Sequence, residues 1–252
     1  MIKHILIVLF VFLFCKESFS QADTLYTLSG NNVIHNYYIK NKNNPNAIYN
    51  SNAYSSKKAA LTLPFLDDFS QNWIYPNQTL WEDYNVYVNS SFAIIPTTYG
   101  VATFDGLDFK GAPYNFIFPT AYGAADTLTS KTIDVETITD SVYLSFYYQP
   151  QGNGNKPEAK DSLSLEFFRL SDSSWVRMWG VPGEANHPFK QVMLALDTSF
   201  QHNSFQFRFI NWATLSGNED HWNIDYVYLN DNRTHADTTI NDVSFITNHH
   251  NL

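Results

Sequence analysis

Residues Ser216 to Asn230 read SGNEDHWNIDYVYLN, which places two carboxylates, an imidazole and an indole directly before a run with strand character. Glu219, Asp220 and His221 are residue types that ligate metals or move protons, and Asp225 adds another such group inside the run. Their spacing argues against a catalytic loop. Glu219 and Asp220 are adjacent, so on an extended backbone they point to opposite faces, whereas glycoside hydrolysis needs two carboxylates converging on one bond. A lone histidine is weak evidence for a metal, because metal-binding histidines usually come with others. Ser216-Gly217-Asn218 is turn chemistry, and acids beside such a turn are ordinarily solvated. The loop therefore reads as a connection, with Trp222 packing at the start of the strand it feeds.

Asp225 is the more informative acid. Strict alternation in WNIDYVYL puts it on one face with Val227 and Leu229, and puts Trp222, Ile224, Tyr226 and Tyr228 on the other. If Val227 and Leu229 face the core, Asp225 lies at the core's edge and needs a partner, since an unpaired buried carboxylate is costly. Calcium, Arg208 or backbone amides would each serve; if the aromatic face is the inner one, Asp225 is solvated. Aromatic side chains offer a second kind of site. Trp73 and Trp81, in NWIYPNQTLWEDYNVY, and Trp212 are candidates for stacking on sugar rings, against the alternative that they pack in the core.

Other catalytic signatures are missing. The sequence has no Gly-x-Ser-x-Gly elbow and no His-Glu-x-x-His, and Glu166 stands alone in SLSLEFF. The expectation is a protein without hydrolase activity of its own.

The elements that position these residues are short and alternating. Val142, Leu144, Phe146 and Tyr148 share one face; Leu163, Leu165 and Phe167 repeat the pattern; Val192, Leu194 and Leu196 follow. Phe205, Phe207 and Phe209 alternate with Gln206 and Arg208, the period-two signature of a half-buried strand. Turn signals at 152–154, 171–174, 182–183 and 216–218 separate these runs. The spacing predicts an all-β fold, a two-layer antiparallel sandwich over 61–231. Residues 21–60 are rich in Asn, Ser and Lys and read as an extended linker, and 232–252 as a tail or the start of a further module, so the natural chain is expected to continue past Leu252.

The first 20 residues read as a secretory signal: a basic start, an apolar run from Ile5 to Phe14, and small residues before Gln21. The run is too short for a mature membrane span, and Phe14 before Cys15 argues against a lipid anchor. Cys15 is the single cysteine, so the cleaved chain has no disulfide. Cleavage removes Lys3, Lys16 and Glu17, taking 15 basic and 24 acidic residues to 13 and 23, a net charge of −10. Such a field disfavours nucleic acid and anionic membranes as partners; a surface glycan or a protein is the expected partner. Aromatic residues at 17% against 15% charged fit a β protein.

Several blocks together carry a resemblance: LPFLDDFS, GVATFDGLD, ADTLTSKTIDV, DSVYLSFYYQPQGNG and FQFRFINWATLSGNEDHWNIDYVYLND. They resemble an N-terminal module of large surface or secreted Bacteroidetes proteins exported by the gliding-motility-linked type IX pathway. The likeness covers nearly all of 61–231. The arrangement is also similar to MAM and concanavalin A-like jelly-roll domains, although the disulfides of MAM domains are missing. In those domains an opening acid and an acid of the closing strand share a cation. By that resemblance Asp67 or Asp68 is the first and Asp225 the second, with calcium as the cofactor. The resemblance implies a non-catalytic adhesion or binding module at the cell surface or secreted. The alternative is an accessory domain of a secreted hydrolase whose catalytic part lies beyond Leu252. The sorting domain that type IX cargo carries at its C-terminus does not occur here, which implies a truncated chain or retention by another route.

Overall fold

The computed structural model describes residues 30–44, 59–71, 73–238 and 240. The expected signal segment and most of the expected tail lie outside them. Among the described residues ten strands form two antiparallel sheets packed as the expected sandwich. One sheet holds β2 (Tyr87–Asn89), β3 (Val101–Phe104), β10 (Trp222–Asn230), β5 (Tyr143–Pro150) and β8 (Lys190–Ala195) in that order, with β1 (Phe65–Asp67) also paired to β10. The other runs β4 (Tyr122–Thr129), β9 (Phe207–Thr214), β6 (Ser162–Arg169) and β7 (Ser174–Pro182).

Alternation in the sequence sets the inner faces. Leu163, Leu165 and Phe167 of β6 and Phe207 and Phe209 of β9 are fully buried against Leu144 and Phe146 of β5. Aromatic rings knit the two layers edge to face, with centroids 4.9 Å apart for Phe146–Phe209 and 5.2 Å for Phe65–Phe207. Each such pair adds about 0.5–1.5 kcal/mol beyond the area it buries.

Part of the outer face of the six-stranded sheet is covered. Residues 89–100 fold back over it, and a buried polar layer joins them to the strands. Asn89 Nδ2 donates to Thr103 Oγ1 at 2.8 Å, whose hydroxyl donates to Asn223 Oδ1 at 2.7 Å. Gln149 takes the Ile94 N–H at 2.8 Å and returns a bond to the Ile94 carbonyl at 2.9 Å.

The expectation of an extended 21–60 linker fails within its described part. Asn32–Asn41 is a helix, α1, capped by Asn31, whose Oδ1 accepts from Val33 N and Ile34 N. Ile34, Tyr37 and Tyr38 lie at i, i+3 and i+4 and so share one face. That face docks on the sandwich, with Ile34 buried, Tyr37 edge-on to Tyr75 at 5.7 Å and Tyr38 edge-on to Phe109 at 5.8 Å. The Asn31 side chain also donates from Nδ2 to the buried Asp105 at 3.1 Å. Asn31→Ala should therefore lose a helix cap and strip a buried carboxylate of a donor together. We expect a loss of about 2 kcal/mol or more in chemical unfolding, beyond the ~1 kcal/mol of an ordinary cap.

Candidate functional site

Asp225 is buried, but not on the face that alternation assigns it. The β10–β5 register shifts between Asp225 and Tyr228, and Tyr226 sits at φ 49, so a bulge interrupts the strand. Trp222 and Ile224 before the bulge and Val227 and Leu229 after it all join the core. Asp225 is thereby turned to the outer face, under Thr98, which donates to it from N at 2.8 Å and from Oγ1 at 2.6 Å. Of the partners considered, a backbone amide is the one seen. Arg208 lies on the other sheet, bonded to Glu166 at 2.9 and 2.7 Å. Burial pushes the Asp225 carboxyl up to about 7, against the pull of the Thr98 bonds.

The opening acids are close to this strand, as expected. Asp67 is the register partner of Val227, and Thr98 Oγ1 also bonds the Asp68 carbonyl at 2.9 Å. Their carboxylates are engaged elsewhere. Asp67 accepts the Trp81 indole N–H at 2.6 Å and the Phe69 N–H at 2.9 Å, and Asp68 accepts from Ser70 N and Oγ at 3.0 and 2.7 Å. Asp67, Asp68 and Asp225 do not form a three-carboxylate cradle among the described residues; the group that does is Glu158, Asp161 and Asp220.

The loop before β10 is also not the solvated connection that its composition suggests. Asp220 and His221 are both buried. His221 Nδ1 accepts the Asn155 N–H at 2.9 Å, its own N–H reaches the Asn155 carbonyl at 3.0 Å, and its ring stacks on Phe92 at 5.3 Å. Gly154 lies flat against that ring, where any Cβ would collide with it. Burial lowers the His221 pKa to about 4, so the ring is neutral and structural at ordinary pH.

A second pair of buried acids escaped the sequence reading. Asp105 and Asp126 are both fully buried; Asp105 takes Asn31 Nδ2, and Asp126 takes the Tyr114 hydroxyl at 2.9 Å and the Gly106 N–H at 2.8 Å. Gly106 adopts φ +74, and a Cβ there would sit 2.9 Å from the Gly217 carbonyl oxygen, so the turn needs glycine. Desolvation raises Asp105 to about 7 and raises Asp126 well above the usual carboxylate range, with Asp105 adding repulsion to Asp126. The Asp-Gly dipeptide within FDGLD is the signal for this turn.

The three candidate tryptophans part company. Trp81 is 0% exposed and edge-on to Phe65 and Phe207 at 5.1 and 5.7 Å, a core residue and not a ligand platform. Trp73 is exposed and meets Tyr99 edge-on at 5.5 Å, beside the loop that closes the six-stranded sheet. Trp212 stands on the outer face of the four-stranded sheet, 39% exposed. On that same face, two residues along the β4–β9 ladder, is Tyr122, 43% exposed. Around the two rings lie Ser162, the register partner of Trp212, and Lys160, whose ammonium is 5.5 Å from the Tyr122 ring centre and 3.5 Å from Thr214 Oγ1. Further along, the Arg208 guanidinium lies 4.2 Å over the Trp175 ring while holding Glu166.

No family model matches the chain, and no curated protein matches it. Among solved structures it is similar to the K1 cleaved adhesin domain of Lys-gingipain from Porphyromonas gingivalis, at 10% identity and TM-score 0.43, over 68% of this chain and 99% of that one. It is similar to the CBM22-1 xylan-binding domain from Paenibacillus barcinonensis Xyn10C at 11% identity and TM-score 0.38, over 69% and 97%. An arabinose-bound α-L-arabinofuranosidase matches at 13% identity and TM-score 0.42, over 66% of this chain and 26% of its own length. These likenesses concern the β-sandwich fold and do not bear on what this chain binds.

The Asp105–Asp126 pair fixes the sign of a pH effect. A carboxyl raised above its unfolded value of 3.8 keeps its proton in the folded state after the unfolded chain has released it. Stability is then present at low pH and is lost as pH rises from about 4 through about 7. In metal-free buffer the unfolding free energy should fall over this window. Asp126→Asn, which retains an acceptor for Gly106 N, should reduce that fall by about 1 kcal/mol or more.

Proposed function

We propose that this chain is a non-catalytic, extracellular binding module that takes glycan on the open face of its four-stranded sheet. One observation carries the reading: Trp212 and Tyr122 both stand exposed on one face of the four-stranded sheet, two residues apart along the β4–β9 ladder, while residues 89–100 cover Gln149 and Asp225 on the outer face of the other sheet. The apolar face of a sugar ring stacks on such side chains, and Ser162, Lys160 and Thr214 supply polar groups at their margin.

The same face supports a binding role without catalysis. Glu166 is the acid that its four strands turn outward, and it is held in a two-pronged bond by Arg208. Hydrolysis needs a second carboxylate across the bond, and the remaining acid of those strands, Asp126, is buried in the interior. No helix among the described residues is long and apolar enough to cross a membrane. The sequence blocks that resemble modules of Bacteroidetes surface proteins support placing the chain among cargo of the type IX pathway, where adhesion to surface glycans is the role.

A glycan array probed with purified protein tests the reading, followed by calorimetric titration of the best ligand. Trp212→Ala should weaken binding at least about tenfold while the variant remains folded by circular dichroism. Trp73→Ala should leave affinity unchanged. An array without hits, or a ligand bound equally well by the Trp212 variant, would overturn the assignment.

A further inference from the structure

The segment 155–161 and the turn before β10 bring Glu158, Asp161 and Asp220 together, with a carboxylate oxygen of each within 4.8 Å of the others. Asp161 and Asp220 are buried, and Glu158 reaches them from the surface. One oxygen of each buried acid has a donor: Asp161 Oδ2 accepts the Glu158 N–H at 2.6 Å, and Asp220 Oδ2 the Thr214 N–H at 2.9 Å. The other oxygen, Oδ1 in both, is buried with no donor. A neutral side chain nearby shows the same deficit. Asn211 donates from Nδ2 to the Asp220 carbonyl at 3.2 Å, and its own buried Oδ1 is without a donor. None of the ion pairs among the described residues involves these three acids.

Donorless carboxylate oxygens crowded in a dry site suffer both desolvation and mutual repulsion, and a cation relieves both at once. We propose that Glu158, Asp161 and Asp220 form a calcium site. The donor set is oxygen alone, which suits a hard cation and not zinc or copper. The imidazole next to Asp220, that of His221, has its Nδ1 committed to the Asn155 N–H, and its buried Nε2 is not among the ligand atoms that converge with the three carboxylates. Calcium accepts an irregular oxygen shell completed by water, whereas magnesium demands a near-ideal octahedron. Glu158, on the exposed side, leaves a path for the ion and for its remaining waters. The bound ion ties the 155–161 segment to the start of β10. This inference does not depend on the glycan reading.

The test is thermal unfolding of the purified protein in chelator and in about 10 mM calcium, together with direct calcium titration by calorimetry. An affinity in the millimolar range of extracellular modules should raise the melting temperature by about 4 °C. Asp220→Asn, which keeps the acceptor for Thr214 N, and Glu158→Gln, at an exposed position that tolerates change, should each abolish most of that rise and the calorimetric signal. Asp225→Asn should retain both. Absence of any calcium-dependent shift or heat in the wild-type protein would overturn the site. So would a shift that survives in Glu158→Gln, and a shift lost in Asp225→Asn alone would move the ion to the opening and closing acids.

Discussion

Strand β10 has to bury side chains along its whole length while bonded to β5 on one edge and to β3 and then β1 on the other. A regular strand keeps one parity from end to end. Here Trp222 and Ile224 enter the core on one parity and Val227 and Leu229 on the opposite one, and the bulge at Asp225–Tyr226 makes that possible. The left-handed φ of 49 at Tyr226 costs on the order of 1–3 kcal/mol. Burying Val227 and Leu229 returns about 1.5–3 kcal/mol each, so the irregular strand wins. The bulge also separates the two partners on that edge, β3 pairing with Trp222–Ile224 and β1 with Phe65–Asp67 against Val227–Leu229.

From that choice follows the asymmetry of the two faces. Turning Asp225 outward puts a carboxylate beside Asn223, Thr103 and Gln149, a row of polar groups on the back of the six-stranded sheet. Residues 89–100 cover the row and bond to two of its members, Thr98 to Asp225 and Ile94 to Gln149. The segment is thus consumed in closing one side of the sandwich. The outer face of the four-stranded sheet carries Ser162, Glu166, Arg208 and Trp212, with Ser164 and Ile210 buried between them.

The parts of this arrangement that the sequence reveals are those governed by unbroken alternation. SLSLEFF and FQFRF keep one parity through β6 and the start of β9, so their inner residues and the two-layer architecture were legible. Asp225 was not, because one extra residue reverses parity and nothing in WNIDYVYL marks the bulge. Trp81 misleads for a different reason. A tryptophan among polar residues looks like a surface ring, yet its indole N–H finds Asp67, fourteen residues earlier, and that bond lets it enter the core. The helix at Asn32–Asn41 hid behind its composition, although its three docking residues have helical spacing. Asp220 and His221 sit beside strong turn residues, and turn chemistry says nothing about what packs on the turn from outside.

What packs on that turn is the segment 151–161, and the two together connect the buried acids to the exposed rings. The Gln151 N–H bonds the His221 carbonyl at 2.7 Å, and Asn155 clasps His221 through both its N–H and its carbonyl, which fixes the start of the segment. At its far end the Tyr122 hydroxyl donates to the Lys160 carbonyl at 2.6 Å, between Glu158 and Asp161. The position of the Tyr122 ring on the open face therefore depends on where residues 158–161 lie. Those residues are held by the Glu158 N–H bond to Asp161, and two of them bring their carboxylates against that of Asp220. Desolvation raises Asp161 to about 7 and raises Asp220 as well, with repulsion from the neighbouring acids adding to both. The same acids add repulsion to the Tyr122 hydroxyl, whose ionisation burial already disfavours. The phenol thus stays protonated and remains the donor that anchors the ring to the loop.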